Sequence, residues 1–184
     1  MAAMPAGRVN MNETHNAATG SELVDQLADP KRRENAYAAL ENLGATALPA
    51  VREGLRHGNW QVRRWCAIFL DHRADPLSLE VLVPLLRDPK SNVRMWAVHS
   101  LSCERCKDGQ NPIDAVPLLL ERIESDESVR VRRMATAMVA YGRPDRRTIS
   151  VFKALLARET DRKIRLHASL GLMRCREAGL VGSD

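Results

Sequence analysis

Three side chains near the middle of the chain have the chemistry of metal ligands. His99, Cys103 and Cys106 lie four and three residues apart, so a continuous helix would present them on one face. Thiolate and imidazole groups are ligands that zinc prefers in a tetrahedral array. A single Cys-x-x-Cys pair is also compatible with structural thiols, or with a redox pair activated by the positive charges of Arg105 and Lys107. These three interpretations remain open at the level of the sequence.

A repeated segment indicates which elements must position these side chains. Nine-residue copies begin at Arg32, Val62, Val93, Val131 and Ile164. When each copy is numbered by place from its first residue, places one, five, eight and nine are mostly apolar or small, which is the pattern of one helical face. The pattern predicts five amphipathic helices. Place five is always small: Ala36, Cys66, Ala97, Ala135 and Ala168.

A second, shorter apolar segment precedes each copy. These segments are residues 23–27, 48–55, 79–86, 113–123 and 149–156, and each is followed by a polar turn such as Asp88-Pro89. Proline ends one helix and suits the first turn of the next. One such helical pair cannot bury its apolar face alone, whereas stacked pairs form a continuous core. We therefore predict an all-α fold, a right-handed α-solenoid (α-α superhelix) of about five helical hairpins.

The predicted boundaries follow the phase of the repeats. Residues 1–20 lack periodicity and are expected to form a disordered leader, and residues 179–184 are expected to fray. The repeat domain then spans residues 21–178, with repeats at about 21–44, 45–75, 76–108, 109–144 and 145–178.

The segment from Leu85 to Leu101 resembles the HEAT repeat. It follows the pattern Leu-Leu-Arg-Asp-Pro-x-x-x-Val-Arg-x-x-Ala-x-x-x-Leu. The resemblance covers residues 21–176 and extends to the lyase-type HEAT-like repeats of bacterial proteins, within the armadillo-like helical class. In such repeats the Asp of the turn and the Arg at place two form a ladder of ion pairs between neighbouring repeats. The ladder is incomplete in this chain, because repeat two has His57 in the turn and repeat five has only Asp161 nearby. The resemblance implies structural roles for Arg33, Arg63, Arg94, Arg132 and Arg165.

Alignment of the repeats extends the candidate metal site. The interval between the third and fourth copies is about 38 residues, which indicates an insertion at Cys103–Pro112. His72 occupies the place in repeat two that Cys103 occupies in repeat three, and adjacent repeats should bring these side chains together. The ligand set predicted for a bound zinc ion is His72, His99, Cys103 and Cys106.

The outward-facing places of the second helices form the other candidate site. In HEAT-like solenoids these helices line the concave side, and places three, six, seven and ten are expected to point outward. Asp71 and Val98 fall at such places. An apolar strip flanked by Arg suits a partner helix or an extended peptide. The predicted binding surface consists of Arg64, Ile68, Met95, His99, Arg133 and Leu166.

The sequence favours a binding module over an enzyme. It contains no Gly-rich phosphate loop, no Gly-x-Ser-x-Gly elbow and no His-Glu-x-x-His motif. It also lacks the His-Glu pairs of the di-iron hydroxylase that is built on HEAT-like repeats. The primary prediction is a non-catalytic scaffold that binds a protein or peptide on the concave face, with no cofactor other than the possible zinc ion.

Two alternative functions remain open. The net charge of +5 permits contact with the phosphate backbone of nucleic acid. A lyase-accessory role, or a thiol- or metal-dependent role, at Cys103 and Cys106 is suggested by analogy with pigment-lyase relatives of this repeat class. For the nucleic-acid alternative, the arginines available to a phosphate backbone are Arg130, Arg132, Arg133, Arg143, Arg146 and Arg147.

Short apolar runs and the lack of a signal peptide predict a cytoplasmic protein without a membrane partner.

Overall fold

The chain folds into consecutive helical hairpins. The structure is a computed structural model and describes residues 18–73, 75–106 and 113–181, so most of the predicted leader and parts of the predicted insertion and tail lie outside the description. The α-helices of the described residues are α1 Gly20–Gln26, α2 Arg33–Leu43, α3 Leu48–Gly54, α4 Trp60–Arg73, α5 Pro76–Leu82, α6 Ser91–Ser102, α7 Val116–Ser125, α8 Val129–Tyr141, α9 Ile149–Arg158 and α10 Arg162–Glu177. Short 3₁₀ segments lie at Gly44–Ala47, Val83–Arg87, Glu104–Cys106 and Arg146–Thr148.

Local sequence signals account for several helix ends. Thr19 caps α1 in a capping box with Glu22, within the segment predicted as leader. Asp75 accepts a hydrogen bond from the Ser78 backbone N–H at the start of α5, and Asp161 accepts from two backbone N–H groups of α10. Prolines stand in the first two positions of α3, α5 and α7, where a missing N–H breaks no helical hydrogen bond. The polar turns therefore start helices as well as ending them.

The helices form two layers. The second helices α4, α6, α8 and α10 pack side by side in chain order, and they contact one another more extensively than the first helices do. We call this closely packed layer of second helices the inner layer. The prediction of an all-α solenoid is confirmed, since the described residues contain consecutive helical pairs and no strand. No helix among these residues is both long and apolar enough to cross a membrane.

One apolar core runs through the stacked pairs, from Leu23 in α1 to Cys175 in α10. The small residues at place five all belong to this core, and each is at most 1% exposed. They allow the backbones of neighbouring helices to approach closely, because a larger side chain would overpack this position. The small residue that defines the repeat in the sequence is thus a buried core residue in every repeat.

Place six was expected to point outward, but it is buried in α4, α6 and α8, partly buried in α2, and exposed only in α10. It packs against the following repeat: the Tyr37 ring at place six of α2 lies 5.1 Å from the Trp65 ring and 6.3 Å from the Phe69 ring. Places three and seven remain accessible on the inner layer. The place-six residues of α4, α6 and α8 are fully buried: Ala67, Val98 and Thr136.

Candidate functional site

The arginines at place two join neighbouring repeats through the polar turns. Arg94 is only 5% exposed and donates to both carboxylate oxygens of Asp126 at 2.8 and 2.9 Å. It also donates to the Asp88 carbonyl oxygen at 2.8 Å. Arg63 forms the corresponding pair with the Asp88 carboxylate, at 2.6 and 3.0 Å. Each of these two guanidinium groups therefore ties the turn of its own repeat to the turn of the next.

The outer arginines of this series have different partners. Arg33 donates to two carbonyl oxygens of its own turn, and it pairs with no carboxylate among the described residues. The next turn offers Arg33 no carboxylate at the usual position, because repeat two has His57 in place of the turn Asp. Arg132 lies 3.6 Å from the carboxylate of Glu159, and Arg165 donates to the Glu159 carbonyl oxygen at 3.3 Å. An Arg at place two that is hydrogen-bonded both to its own turn and to the Asp carboxylate of the next turn is therefore found only at Arg63 and Arg94, in the middle of the described solenoid.

Four side chains from two adjacent repeats converge where α4 and α6 end. Asp71, His99, Cys103 and Cys106 each offer one ligand atom, and these atoms all lie within 4.8 Å of one another. Asp71 is 3% exposed, and its Oδ1 lies 3.0 Å from His99 Nδ1. The two sulfur atoms are 2.9 Å apart. We call these four residues the α4–α6 cluster.

The backbone of the α4–α6 cluster differs from the expected continuous helix. α6 ends at Ser102, and Cys103 has an extended conformation with φ −73° and ψ 94°. A 3₁₀ turn at Glu104–Cys106 follows. This turn folds Cys106 back toward His99 in the last turn of α6. The thiols and the imidazole are therefore brought together by a helix end, and not by helical spacing.

Asp71 takes the position that the alignment of the repeats predicts for His72. The His72 side chain is 67% exposed, and its Nε2 lies 3.4 Å from Asp71 Oδ2. It does not belong to the α4–α6 cluster. Consecutive residues on a helix point about 100° apart, so only one of this pair can face α6. Asp71 was expected at the outer surface, and its burial against His99 is a correction to that expectation.

The thiols of the chain differ in environment. Burial raises the pKa of the Cys106 thiol to about 12, together with hydrogen bonds to Cys103 and Asp71. Burial also raises the pKa of the Cys66 thiol. A thiol with a raised pKa is protonated near neutral pH and is a poor nucleophile. The environment of Cys106 thus disfavours a reactive thiolate in the metal-free protein.

We expect iodoacetamide to modify Cys103 in the native, chelator-treated protein, to modify Cys106 only slowly because of its raised pKa, and to leave Cys66 and Cys175 unmodified. The first two thiols are partly exposed, whereas Cys66 and Cys175 are 0% and 1% exposed. Mass spectrometry of proteolytic peptides before and after addition of urea measures this difference. Labelling of Cys66 at the rate of Cys103 without denaturant would contradict the burial of Cys66 in the core.

The outward-facing places of α10 present an exposed apolar ridge. Leu166 and Met173 are 65% and 46% exposed, and Leu170 lies between them, partly exposed. They stand at places three, seven and ten, four and three residues apart, and so share one face of the helix. We call Leu166, Leu170 and Met173 the α10 strip. Tyr141 at the end of α8 is 49% exposed and extends this surface, since its ring lies 5.6 Å from the His167 ring of α10.

Cationic side chains surround the α10 strip. Arg162 and Lys163 are exposed one turn before Leu166, and Arg176 is exposed one turn after Met173. None of the three forms an ion pair with another described residue. The strip therefore combines apolar contact area with positive charge at both ends.

The remaining residues of the predicted surface divide into two groups. Arg64, Ile68 and Met95 are partly exposed on α4 and α6. The Arg64 guanidinium lies 5.4 Å from the centroid of the Trp65 ring. His99 and Arg133, by contrast, have partners inside the protein. His99 belongs to the α4–α6 cluster, and Arg133 donates two hydrogen bonds to the Asp161 carboxylate.

Much of the arginine-rich end is neutralised by carboxylates. Arg133 pairs with Asp161, and Arg147 pairs with Asp145 and Asp114. These hydrogen bonds lower the pKa of each of the three carboxyl groups. A phosphate backbone would have to compete with these internal partners. Within the described residues, the arginines of this end that remain exposed without an ion pair are Arg130, Arg143 and Arg146.

Comparison with known proteins agrees with the architecture. The family model of HEAT repeats matches residues 20–102, and HEAT repeats generally serve as protein-interaction scaffolds. Among solved structures, the crystal structure of an engineered protein is similar with a TM-score of 0.60 and 20% sequence identity, over 86% of this chain and 79% of that chain. At that identity the similarity concerns the fold. No curated protein matches the chain significantly.

Proposed function

We propose that this chain, whose residues 20–102 match the family model of HEAT repeats, is a scaffold that binds a helical, acidic segment of a partner protein on its inner layer. The α10 strip is the proposed anchoring surface. The observation that supports this most strongly is the exposure of Leu166, Leu170 and Met173 on one face of a second helix. A solvent-exposed apolar ridge of this kind is typical of a binding site.

The spacing of the strip favours a helical partner. Its three residues follow one another at four and three positions along α10, so the ridge is straight and about 10 Å long. A partner helix with apolar residues at i, i+4 and i+7 can lie alongside it. Tyr141 on the neighbouring helix adds a rigid, amphipathic ring, a residue type common among interface anchors.

The charges around the strip determine the polarity of the partner. Arg162, Lys163 and Arg176 lie within one turn of the apolar residues, and Glu177 is the acidic neighbour. Exposed cations at the rim of an interface accelerate association with an acidic partner and exclude a basic one. We therefore expect Asp and Glu residues on both sides of the partner's apolar face.

A selection with random peptides on phage tests this proposal with a defined probe. We expect the enriched peptides to combine apolar residues at helical spacing with Asp and Glu. Leu166→Glu, and separately Met173→Glu, should weaken binding of such a peptide by about 30-fold, since loss of an apolar anchor costs on the order of 2 kcal/mol. Fluorescence anisotropy of a labelled peptide measures the affinity.

A matched control comes from the other layer. Leu77 on α5 is 53% exposed, so Leu77→Glu makes the same change of size and charge away from the inner layer. It should leave peptide affinity unchanged. Equal loss of binding in Leu77→Glu and Leu166→Glu would reject the α10 strip as the site. Selection of basic or purely polar peptides, or binding of nucleic acid in place of any peptide, would reject the proposed partner chemistry.

A further inference from the structure

We propose that Asp71, His99, Cys103 and Cys106 bind one zinc ion that fastens the end of α6 to α4. Two thiolates, an imidazole and a carboxylate are all established zinc ligands, and the thiolates select against hard cations such as magnesium. Four protein ligands fill a tetrahedral shell and leave no open position. The site is therefore structural and does not bind a substrate.

The distances within the α4–α6 cluster are compatible with a single ion. Ligand atoms around tetrahedral zinc are separated by roughly 3.3 to 3.8 Å, given bond lengths of about 2.0 to 2.3 Å. The Asp71 Oδ1 to His99 Nδ1 distance is 3.0 Å, the two sulfur atoms are 2.9 Å apart, and all four ligand atoms lie within 4.8 Å. Shifts of about one ångström, attainable by small side-chain rotations, convert this cluster into a coordination shell.

The position of the ligands in the fold gives the site its role. Asp71 comes from the end of α4, whereas the other three residues lie within one turn before or after the end of α6. A bound ion would thus cross-link repeats two and three at the point where the chain leaves the helix. The two thiol protons would pass to solvent, and the dication would offset two of the three negative charges of the thiolates and the buried Asp71 carboxylate.

Zinc content of the whole chain tests this proposal directly. Protein purified under reducing conditions, stripped with a chelator and dialysed against zinc should retain one equivalent of the metal by elemental analysis. Loading with cobalt should give the thiolate charge-transfer band and the intense visible bands of a tetrahedral site. Retention of no metal, or a cobalt spectrum without thiolate bands, would overturn the proposal without recourse to any variant.

Variants then distinguish the ligand set. His99→Ala and the double variant Cys103→Ser/Cys106→Ser should lose the metal, and Asp71→Asn should bind it at least about 10-fold more weakly. His72→Ala is the matched control, because this imidazole adjoins Asp71 without belonging to the cluster, and it should retain one equivalent. Far-UV circular dichroism verifies that each variant is folded. Metal retained by the double cysteine variant, or lost in His72→Ala, would contradict the proposed ligands.

The zinc proposal does not depend on peptide binding. The α10 strip belongs to a different repeat, so Leu166→Glu should leave the metal content at one equivalent. Since an ion that binds only the folded chain stabilises it, zinc should also raise the melting temperature of the wild-type protein and not of the double cysteine variant. Equal thermal shifts in both proteins would show that the metal binds elsewhere.

Discussion

Replacement of Arg94 by Ala is expected to lower the free energy of unfolding by about 3–5 kcal/mol, the range for breaking a buried ion pair from one side. The Arg94 and Asp126 side chains are only 6% and 1% exposed. Without Arg94, the Asp126 carboxylate loses two hydrogen bonds and stays buried, and its remaining contacts are the Ser128 backbone N–H and Arg122 at 3.7 Å. The Asp88 carbonyl oxygen loses a donor as well.

Arg87→Ala is the control for this variant. Arg87 pairs with Glu121 between repeats, but its side chain is 77% exposed, so its loss should cost at most about 1 kcal/mol. Arg94→Met separates charge from packing, because it keeps an unbranched apolar stem of similar reach. Urea unfolding followed by circular dichroism gives the three values. A small and equal change for Arg94→Ala and Arg87→Ala would show that the buried ladder does not stabilise the stack.

Gly171→Ala is expected to destabilise the protein by about 1–3 kcal/mol, the usual cost of overpacking a core. A Cβ atom at this position would lie 2.4 Å from Cε2 and Cζ of Phe152, whose ring is fully buried. On an exposed helix the same substitution would stabilise by about 1 kcal/mol, because Ala has the higher helix propensity. The steric conflict therefore reverses the sign of the effect.

Two further variants identify the cause of that change. Gly58→Ala introduces the same methyl group where no heavy atom lies within 4 Å, and it should change stability by less than about 0.5 kcal/mol. Phe152→Leu combined with Gly171→Ala should be more stable than the sum of the two single effects predicts, because the smaller side chain relieves the conflict. Thermal unfolding at or above the wild-type temperature for Gly171→Ala would contradict the close packing of α9 on α10.

The fold could be predicted because the repeat encodes it several times. Place five is small in all five copies, and its burial follows from the same helical phase in each. Place six could not be assigned in this way. Whether Val98 is covered depends on how far one repeat is rotated against the next, and that rotation is a property of the stack and not of any single helix.

The candidate sites were partly within reach of the sequence. His99, Cys103 and Cys106 were recognisable from residue type and spacing, but the choice between Asp71 and His72 depended on the rotation of α4 against α6. Equivalent places of adjacent repeats do not face each other, since Asp71 at place ten meets His99 at place seven. Met173 falls at an outward-facing place, so it could have been assigned to the binding surface together with Leu166. The pairing of Arg133 with Asp161, by contrast, has no signal in the repeat.

Nuclear magnetic resonance of methionine methyl groups tests the central claim, that the α10 strip binds an acidic helical peptide, without altering the protein. On titration with a selected peptide, the Met173 methyl resonance should shift and saturate at the affinity measured by anisotropy. The Met134 methyl, which is partly buried on α8 and packs against the core, should stay in place. A Met173 resonance that does not move while the peptide binds would show that the partner docks elsewhere on the solenoid.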